Sequence, residues 1–278
     1  TMDRFVRDFV AALEAGDTAT LDAMVNREDD FFYFFFSPWD TDDHELSTWF
    51  MRRGEFIQAL ENICSGQPLK QEDGTEKAAI TRLEITRLVV DLPWTAPRQD
   101  QPDHWLTERG IWTATYHFEM VIHREGLTPL EAGNKVMFLV RPLCDSAQAC
   151  WDHTLMGIDD YTGRFDPATT TTLGTLMLDG FLNSPPEFEP ELRQLYPGSP
   201  QVSVVACDLV DEGRPLERGE VRFRRVPDTE WTPWSDDCEV TAIFESYGEH
   251  QVEVQARDRW GTVGSRTATI ELLPPPGP

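Results

Sequence analysis

The chain has few basic residues and lacks any long apolar run. Its 278 residues include 24 Lys and Arg against 49 Asp and Glu, a formal net charge of −25. Because phosphate binding needs a basic face, this balance excludes nucleic acid as a partner and disfavours anionic membrane surfaces. No stretch approaches the roughly 20 consecutive apolar residues that span a bilayer. The first residues also lack the apolar core of a signal peptide. Any export signal or lipid anchor is therefore expected upstream of Thr1, and the alternative is that none exists.

The short motifs of common cofactor and catalytic sites are missing too. The sequence has no Gly-rich phosphate loop, no GxSxG and no HExxH, and it lacks the CxxC pair that zinc sites usually use. The run that starts at Asp40 is similar to a calcium loop, but its positions 6 and 12 hold Glu45 and Met51 instead of Gly and Glu. We expect no cofactor and no metal, with weak calcium binding by acidic residues near 208–212 and 236–237 as the alternative.

The five cysteines suggest two disulfides. Cys144 and Cys150 flank a five-residue segment between two apolar runs, a spacing that suits a bridge across a hairpin. A bridge between Cys207 and Cys238 is the second candidate. Chain-entropy arguments give about 2 kcal/mol for the first and about 3–4 kcal/mol for the second. Two pairs with Cys64 left over favour an oxidising compartment, and five reduced, buried thiols remain the alternative.

The first 65 residues predict helices around one aromatic strand. Apolar residues recur with helical spacing over 3–15, and a second short helix follows to Val25. A strand closed by Pro38 comes next, and then a longer helix over roughly 43–64.

Six consecutive aromatic residues, 31–36, form that strand. Successive side chains of a strand face opposite ways, so the run makes two rows, Phe31, Tyr33 and Phe35 in one and Phe32, Phe34 and Phe36 in the other. Both rows need cover. We expect one row to face the helices. We expect the other row to be covered by the 160–200 segment and the C-terminal module, and the alternative cover is a second copy of the chain.

Four strand-like runs follow, over 79–92, 106–124, 135–143 and 150–158. The second run alternates cleanly, with one face formed by Trp112, Ala114, Tyr116, Phe118, Met120 and Ile122. Helices followed by antiparallel strands are typical of an α+β domain.

The C-terminal third predicts a different architecture. Residues 161–200 read as a partly structured connector with helices near 172–182 and 188–195. From Gln201 five short alternating runs predict a β-sandwich, over 202–209, 219–226, 239–245, 249–257 and 263–273. The expected domains are 1–160, the connector 161–200, and 201–278.

The order of elements in the first domain resembles the NTF2-like (SnoaL-like, cystatin-like cone) fold. The resemblance rests on FVAALEAGDTATL (9–21), a helix pair with a Gly-Asp joint, and on the strand and turn YFFFSPW (33–39). The aromatic strand followed by a Trp is similar to NTF2-like domains of bacterial exported lipoproteins. The resemblance implies a pocket between the concave sheet and the helices. In enzyme members of this superfamily, an Asp, His or Tyr in that pocket transfers protons.

Two C-terminal segments resemble bacterial Ig-like and fibronectin-III-like modules. They are GEHQVEVQARDRWG (248–261) and WTPW (231–234), and the resemblance covers roughly 200–273. It implies a spacer or interaction module on an exported protein, and so an extracytoplasmic location, in the periplasm or at the cell surface.

The candidate catalytic residues are His117, Glu119 and His123 on one strand face, with His153 on the neighbouring hairpin strand. A carboxylate beside an imidazole can act as a general acid/base pair, and the three histidines could ligate a metal. We favour a plainer interpretation, that this polar face is the solvated side of the strand.

Aromatic residues of the first domain form the predicted ligand pocket: Phe31, Tyr33, Phe35, Trp112, Tyr116 and Phe118. The favoured function is a non-enzymatic exported bacterial lipoprotein. Its NTF2-like domain would bind an unknown small ligand or an envelope protein, braced by the Ig-like module, and a homodimer through the sheet face stays open. The alternative is a SnoaL-like enzyme acting on a small hydrophobic substrate. A cavity lined only by apolar side chains would count against the enzyme.

Overall fold

The computed structural model describes residues 1–27, 31–36, 50–70, 75–98, 100, 104–144, 150–160, 170–211, 214–215 and 219–276. The chain is mixed α/β with mostly β content and several sheets. It divides into two compact units, unit 1 over Thr1–Leu182 and unit 2 over Asn183–Pro278.

Unit 1 contains five described helices and nine described strands. The helices are α1 (Met2–Ala15), α2 (Thr18–Met24), α3 (Arg53–Cys64), α4 (Trp105–Glu108) and α5 (Leu173–Gly180). The strands are β1 (Tyr33–Phe35), β2 (Phe50–Arg52), β3 (Leu69–Lys70), β4 (Glu76–Lys77), β5 (Ile80–Thr95), β6 (Trp112–Arg124), β7 (Leu130–Cys144), β8 (Cys150–Asp160) and β9 (Thr170–Thr171).

One large sheet organises unit 1. Its strand order is β2-β1-β8-β7-β6-β5, and β9 also pairs with β7. The β1–β8 and β7–β9 pairs are parallel and the others are antiparallel. The apolar sides of α1 and α3 are buried, as the 3.6-residue spacing of their apolar residues predicts.

The joint between α1 and α2 follows from two residues. Gly16 ends α1 with φ 65°, a left-handed conformation that glycine adopts without steric cost. Asp17 then caps α2, since its side chain accepts a hydrogen bond from the Thr20 amide (3.1 Å). The predicted helix pair is therefore confirmed.

The predicted helix over 43–64 is confirmed over Arg53–Cys64, but within the described residues it begins later than predicted. Only α3 is helical, and Phe50–Arg52 forms β2, antiparallel to β1. Met51 is fully buried while its two strand neighbours are half-buried, the alternation of a strand. Residues 43–49 lie outside the described part of the chain.

The four predicted antiparallel strands are confirmed as β5, β6, β7 and β8. Three boundaries differ by three residues or more: β5 continues to Thr95, β7 already begins at Leu130, and 106–111 is not extended. The short helix α4 lies there, and Gly110 follows it with φ 63°. The strand β6 therefore begins only at Trp112.

Unit 2 is built from β strands. They are β10 (Glu191–Gln194), β11 (Gln201–Val205), β12 (Val210–Asp211), β13 (Arg214–Pro215), β14 (Glu220–Val226), β15 (Glu239–Ile243), β16 (Gly248–Arg257) and β17 (Val263–Leu272). The sheets β10-β11-β15 and β14-β16-β17 share one apolar core, and β12 and β13 form a separate pair. The five predicted runs correspond to β11, β14, β15, β16 and β17.

The described part of the predicted connector divides between the two units. The helix expected near 172–182 is α5, which belongs to unit 1. The helix expected near 188–195 is wrong, because that segment contains β10, antiparallel to β11. Leu192 packs against the core of unit 2 from this strand. A four-residue strand has too few residues to show its period in the sequence.

Candidate functional site

A small apolar cavity lies between the helices and the sheet of unit 1. Eleven described residues line it, and each has a hydrocarbon, aromatic or thioether side chain: Phe9, Val10, Leu13, Phe34, Phe56, Leu60, Phe118, Phe138, Ile158, Leu173 and Met177. Its volume is about 10 Å³, roughly the space that the centre of one water molecule needs. The cavity is a small gap in a packed core.

One row of the aromatic strand fills this part of the core. Phe32 and Phe34 are fully buried. Their rings lie 4.8 and 5.5 Å from the ring of Phe56 on α3. The space between helices and sheet, where a cone-shaped domain would hold a ligand, is thus occupied by the protein's own side chains.

The histidine and carboxylate candidates on β6 lie on the opposite face of the sheet. His117 Nε2 is 3.1 Å from Asp91 Oδ1, and Lys135 Nζ is 2.9 Å from Asp91 Oδ2. The hydrogen bond from Lys135 is the main reason that the pKa of Asp91 is lowered. Glu119 pairs with Arg87 at 3.2 Å. All these side chains are partly exposed.

His123 belongs to a second cluster on this face. Its Nε2 is 3.1 Å from a Glu84 carboxylate oxygen, and Arg82 contacts the same oxygen. The hydrogen bond from His123, followed by the charge of Arg82, lowers the pKa of Glu84. These contacts lie on a face of the sheet where the side chains are partly exposed, which supports the plainer interpretation of the candidates.

His153 stands apart from the other three candidates. It lies opposite Pro142 of β7, whereas His117 lies opposite Lys135 of the same strand. Lys135 and Pro142 are about 23 Å apart along β7, at 3.3 Å per residue. The ring of His153 is 5.8 Å from that of Phe5, and burial lowers the pKa of His153. Within the described ranges, no group of three or more His, Cys, Asp or Glu is placed to hold a metal ion.

The six predicted pocket residues do not come together. Tyr116 and Phe118 are buried on the helix side of β6, and Trp112 is half-buried at the start of that strand. The row of Phe31, Tyr33 and Phe35 is half-buried on the other side of the sheet. The β1–β8 register explains this placement, since Phe34 pairs with Ile158 and both line the cavity. The sequence alone could not tell which row faces inward.

The outer row is covered partly by an element that the sequence did not reveal. Phe31 packs with Trp105 of α4 against a small cluster that includes Leu139 and Met156. The guanidinium of Arg109 lies 3.9 Å from the centre of the Phe31 ring. The apolar residues Trp105, Leu106 and Ile111 are the available signal, but Leu106 and Ile111 fall within the strand predicted over 106–124.

A polar contact ties α1 to the sheet. Tyr116 Oη donates a hydrogen bond to Asp3 Oδ1 at 2.5 Å, and Trp94 Nε1 donates to the same oxygen at 2.9 Å. The bond from Tyr116 is the main cause of a lowered pKa for Asp3. Burial, followed by this bond, raises the pKa of Tyr116. The phenol is therefore a neutral donor that holds α1 in place.

Unit 2 carries an alternating stack of tryptophan and arginine side chains, here called the Trp–Arg stack. The Arg222 guanidinium lies 4.8 Å from the ring centre of Trp231 and 4.3 Å from that of Trp234. Arg224 lies 4.6 Å from Trp231, and Arg257 lies 4.6 Å from Trp234. The order along the stack is Arg224, Trp231, Arg222, Trp234, Arg257.

Polar partners on the sheet hold each guanidinium of the stack. Arg224 Nε donates to Glu253 (2.6 Å), Arg222 Nε to Gln255 (2.8 Å) and Arg257 Nε to Glu220 (2.5 Å). Ring faces pressed against guanidinium groups are not free to stack on a sugar or a base. We interpret the Trp–Arg stack as a brace within unit 2.

The cysteines follow the predicted pattern where they are described. Cys207 and Cys238 form a disulfide, and Cys144 is also disulfide-bonded. The β7–β8 register places Cys144 opposite Cys150, whose side chain lies outside the described part. Cys64 is a free thiol, and burial raises its pKa to about 11. No helix in the described chain combines the length and apolar character needed to cross a bilayer.

Fold and site together define a two-unit α/β protein with a packed apolar core where a cone-shaped domain would have its pocket. No protein-family profile and no curated protein matches the chain. Solved structures match only weakly. The PKD1 domain of Vibrio anguillarum Epp is 17% identical with a TM-score of 0.27, over 34% of this chain and 99% of that one.

Two further structures cover more of the chain. ActVI-ORFA from Streptomyces coelicolor is 14% identical with a TM-score of 0.32, over 57% of this chain and 91% of its own. The extracellular domain of the putative one-component system BT4673 from B. thetaiotaomicron is 15% identical with a TM-score of 0.26, over 81% of this chain and 33% of its own. Similarities this weak carry no argument about fold or function.

Proposed function

We propose that the chain is a non-enzymatic, exported bacterial protein. Unit 1 is an NTF2-like cone whose surface docks another protein, and unit 2 is an Ig-like module that braces it. The observation that carries the proposal is the cavity between the helices and the sheet of unit 1, whose described lining residues are all apolar and whose volume is about 10 Å³.

The chemistry of that cavity counts against catalysis. Proton transfer requires an acid or base within hydrogen-bond reach of the reacting atom. Among the described residues that line the cavity, no side chain carries a nitrogen or oxygen atom. The candidate groups His117, Glu119 and His123 contact Asp91, Arg87 and Glu84 on the other face of the sheet. The SnoaL-like enzyme is therefore not the function that this geometry supports.

The size of the cavity favours docking over ligand binding. Pockets for small molecules typically measure about 300–1,000 Å³, and the core of unit 1 has room for little more than one water. Burial of Phe32 and Phe34 against α3 fills the space that a hydrophobic ligand would need. An interaction through the outer surface fits better than one through the interior.

The disulfides support the exported location. Structural disulfides persist in oxidising compartments and are rare in the bacterial cytosol. The Cys207–Cys238 bond joins the segment that follows β11 to the segment that precedes β15, 31 residues apart in the chain. A lipid anchor upstream of this sequence would then place the protein at the membrane surface.

A ligand titration tests the docking proposal. The protein is titrated with benzene and indole while its unfolding temperature and methyl NMR spectrum are followed, beside a Leu60→Ala variant. Leu60 is 1% exposed and lines the cavity, so its truncation opens space that apolar molecules can enter. Met177→Ala serves the same purpose if the first variant does not fold.

We expect stabilisation of the enlarged variant and none of the wild type. A wild-type protein that binds either molecule in this cavity would contradict the proposal.

The location is tested separately by mass mapping of cysteines in protein isolated from its native source without reduction. Free thiols at Cys207 and Cys238 there would contradict export.

A further inference from the structure

The outermost strand of the unit 1 sheet has an open side. The strand β5 is 16 residues long, and it pairs with β6 along one side only. On its other side, no strand pairs with it among the residues that the structure describes. An edge strand presents backbone N–H and C=O groups that another strand can bond.

The centre of this edge is also apolar and exposed. Val89, Val90 and Leu92 are 52%, 38% and 60% exposed. They are three of the four strongly exposed large apolar side chains described in unit 1, and the fourth, Leu127, lies in a turn. An apolar group on an open strand edge is typical of a site for strand addition.

The flanks of this segment are protected, whereas its centre is not. Irregularities in the β5–β6 register occur between Ile85 and Arg87 and between Val90 and Leu92, and Pro93 lacks a backbone donor. The Ile85 amide already donates to the Glu14 carboxylate (3.1 Å). Bulges, prolines and side-chain caps are devices that prevent edge pairing. They leave the stretch Arg87–Asp91 open, in which Arg87–Val90 is in regular register with β6 and Asp91 lies at the second irregularity.

This stretch is complementary to itself. Val89 lies midway between Arg87 and Asp91, and also midway between Leu88 and Val90. In an antiparallel pair with Val89 opposite Val89, each Arg87 faces Asp91 of the second copy and each Leu88 faces Val90. Residues directly opposite each other point to the same face of the sheet.

The side-chain directions in unit 1 agree with that pairing. Arg87 and Asp91 both extend over the outer face, where they pair with Glu119 and with His117 and Lys135. Leu88 and Val90 lie opposite Phe118 and Tyr116, which belong to the buried face. Opposite charges would therefore meet on one face and apolar groups on the other.

We propose that β5 pairs with β5 of a second copy of this chain, antiparallel and centred on Val89. The contact lies at the sheet edge, and so differs from a dimer formed through the sheet face. It does not depend on the proposed function. Because the open stretch is short, it buries less area than a standard interface, and the dimer is weak and dependent on concentration.

Site-directed cross-linking tests the register. In the proposed dimer the two Val89 Cα atoms lie about 4.5–5.5 Å apart, a distance that a disulfide can span. Thr81 is an exposed residue of the same strand, and its two copies would lie roughly 50 Å apart at 3.3 Å per residue. Val89→Cys and Thr81→Cys are therefore matched variants, and both retain Cys64.

We expect oxidised Val89→Cys to run on a non-reducing gel at twice the 31.8 kDa of the chain, and Thr81→Cys to remain monomeric. Equal cross-linking of the two variants would overturn the proposal.

Sedimentation equilibrium provides the second measurement. Wild-type mass should rise with concentration, and Val89→Lys, which places a charge on the edge, should stay at the monomer mass. A wild type that is monomeric up to about 1 mM, or a variant that associates equally, would overturn it as well.

Discussion

At the residue scale, the hydroxyl of Tyr116 is the clearest example of a polar group with a structural role. The side chain is fully buried, and its hydroxyl donates to Asp3 at the start of α1. Trp94 donates to the same carboxylate from β5. These bonds fix the beginning of a helix whose apolar side forms part of the core.

Tyr116→Phe should lower the free energy of unfolding by about 1 kcal/mol at neutral pH. A hydrogen bond to a charged group contributes about 1.5–3 kcal/mol, and the exposure of Asp3 reduces that figure. Urea unfolding measures the loss. Asp8→Asn is the control on the same helix, because its pair with Arg4 is exposed and contributes less than about 0.5 kcal/mol.

The loss in Tyr116→Phe should depend on pH. The pKa of Asp3 lies below its ordinary value of 3.8 in the folded protein. The stability from its carboxylate is therefore present above that value and is lost as pH falls through the folded pKa. The difference between wild type and variant should shrink below about pH 4. A difference that stays constant down to pH 2 would contradict this role for Asp3.

The sequence predicts residues of this kind only in part. The alternation in β6 places Tyr116 and Phe118 on the buried face, and His117 and Glu119 on the other, as found. No pattern could indicate that Asp3 meets Tyr116, because the two residues are 113 positions apart. That contact depends on how α1 crosses the sheet.

At the scale of elements, the two sides of the aromatic strand β1 differ in burial and in their expected contribution to the free energy of unfolding. Phe34 is fully buried beside Phe56, whereas Phe35 is half-buried next to Tyr33 and Phe50. Phe34→Ala should cost about 3–5 kcal/mol of unfolding free energy, as large core truncations do. Phe35→Ala should cost less than half as much. Chemical denaturation of both variants measures the difference, and equal losses would contradict the assignment of the inner row.

The Trp–Arg stack is a second element with a measurable contribution. Arg222→Lys keeps the charge but loses the planar group between two indole rings. We expect unit 2 to lose about 1–2 kcal/mol, since each cation–π contact contributes about 0.5–1 kcal/mol at exposed sites.

The control for the stack is Arg193→Lys. Arg193 forms an exposed ion pair with Glu191 and contacts no indole ring in the described structure. Tryptophan fluorescence during unfolding reports on both variants. If the two substitutions have the same effect, the stack does not act as a brace.

Elements in which apolar residues recur with a clear period were predictable from the sequence, and elements of three or four residues were not. The strands β6 and β16 have ten residues or more and alternate between buried and more exposed side chains, and the sequence shows this. The elements β2, α4 and β10 have three or four residues each. They depend on contacts with β1, with Phe31 and with β11, and each is too short to show a period of its own.

At the scale of the whole molecule, the chain consists of two units with separate cores. The Cys207–Cys238 bond lies entirely within unit 2. Replacing both cysteines with serine should lower the stability of unit 2 by about 3–4 kcal/mol and leave unit 1 unchanged. Hydrogen exchange followed by mass spectrometry separates the two units. Equal loss of protection in α1 and α3 would contradict their independence.

The size and lining of the cavity in unit 1 distinguish a protein-docking function from a ligand-binding or catalytic one. The most direct measurement is a crystal structure of wild-type protein under xenon pressure, compared with Leu60→Ala under the same conditions. Xenon enters apolar cavities that are large enough to hold it. We predict no xenon between the helices and the sheet of the wild type, and a bound atom in the variant. Xenon or a co-purified molecule beside Phe34 and Phe118 in the wild type would contradict the account.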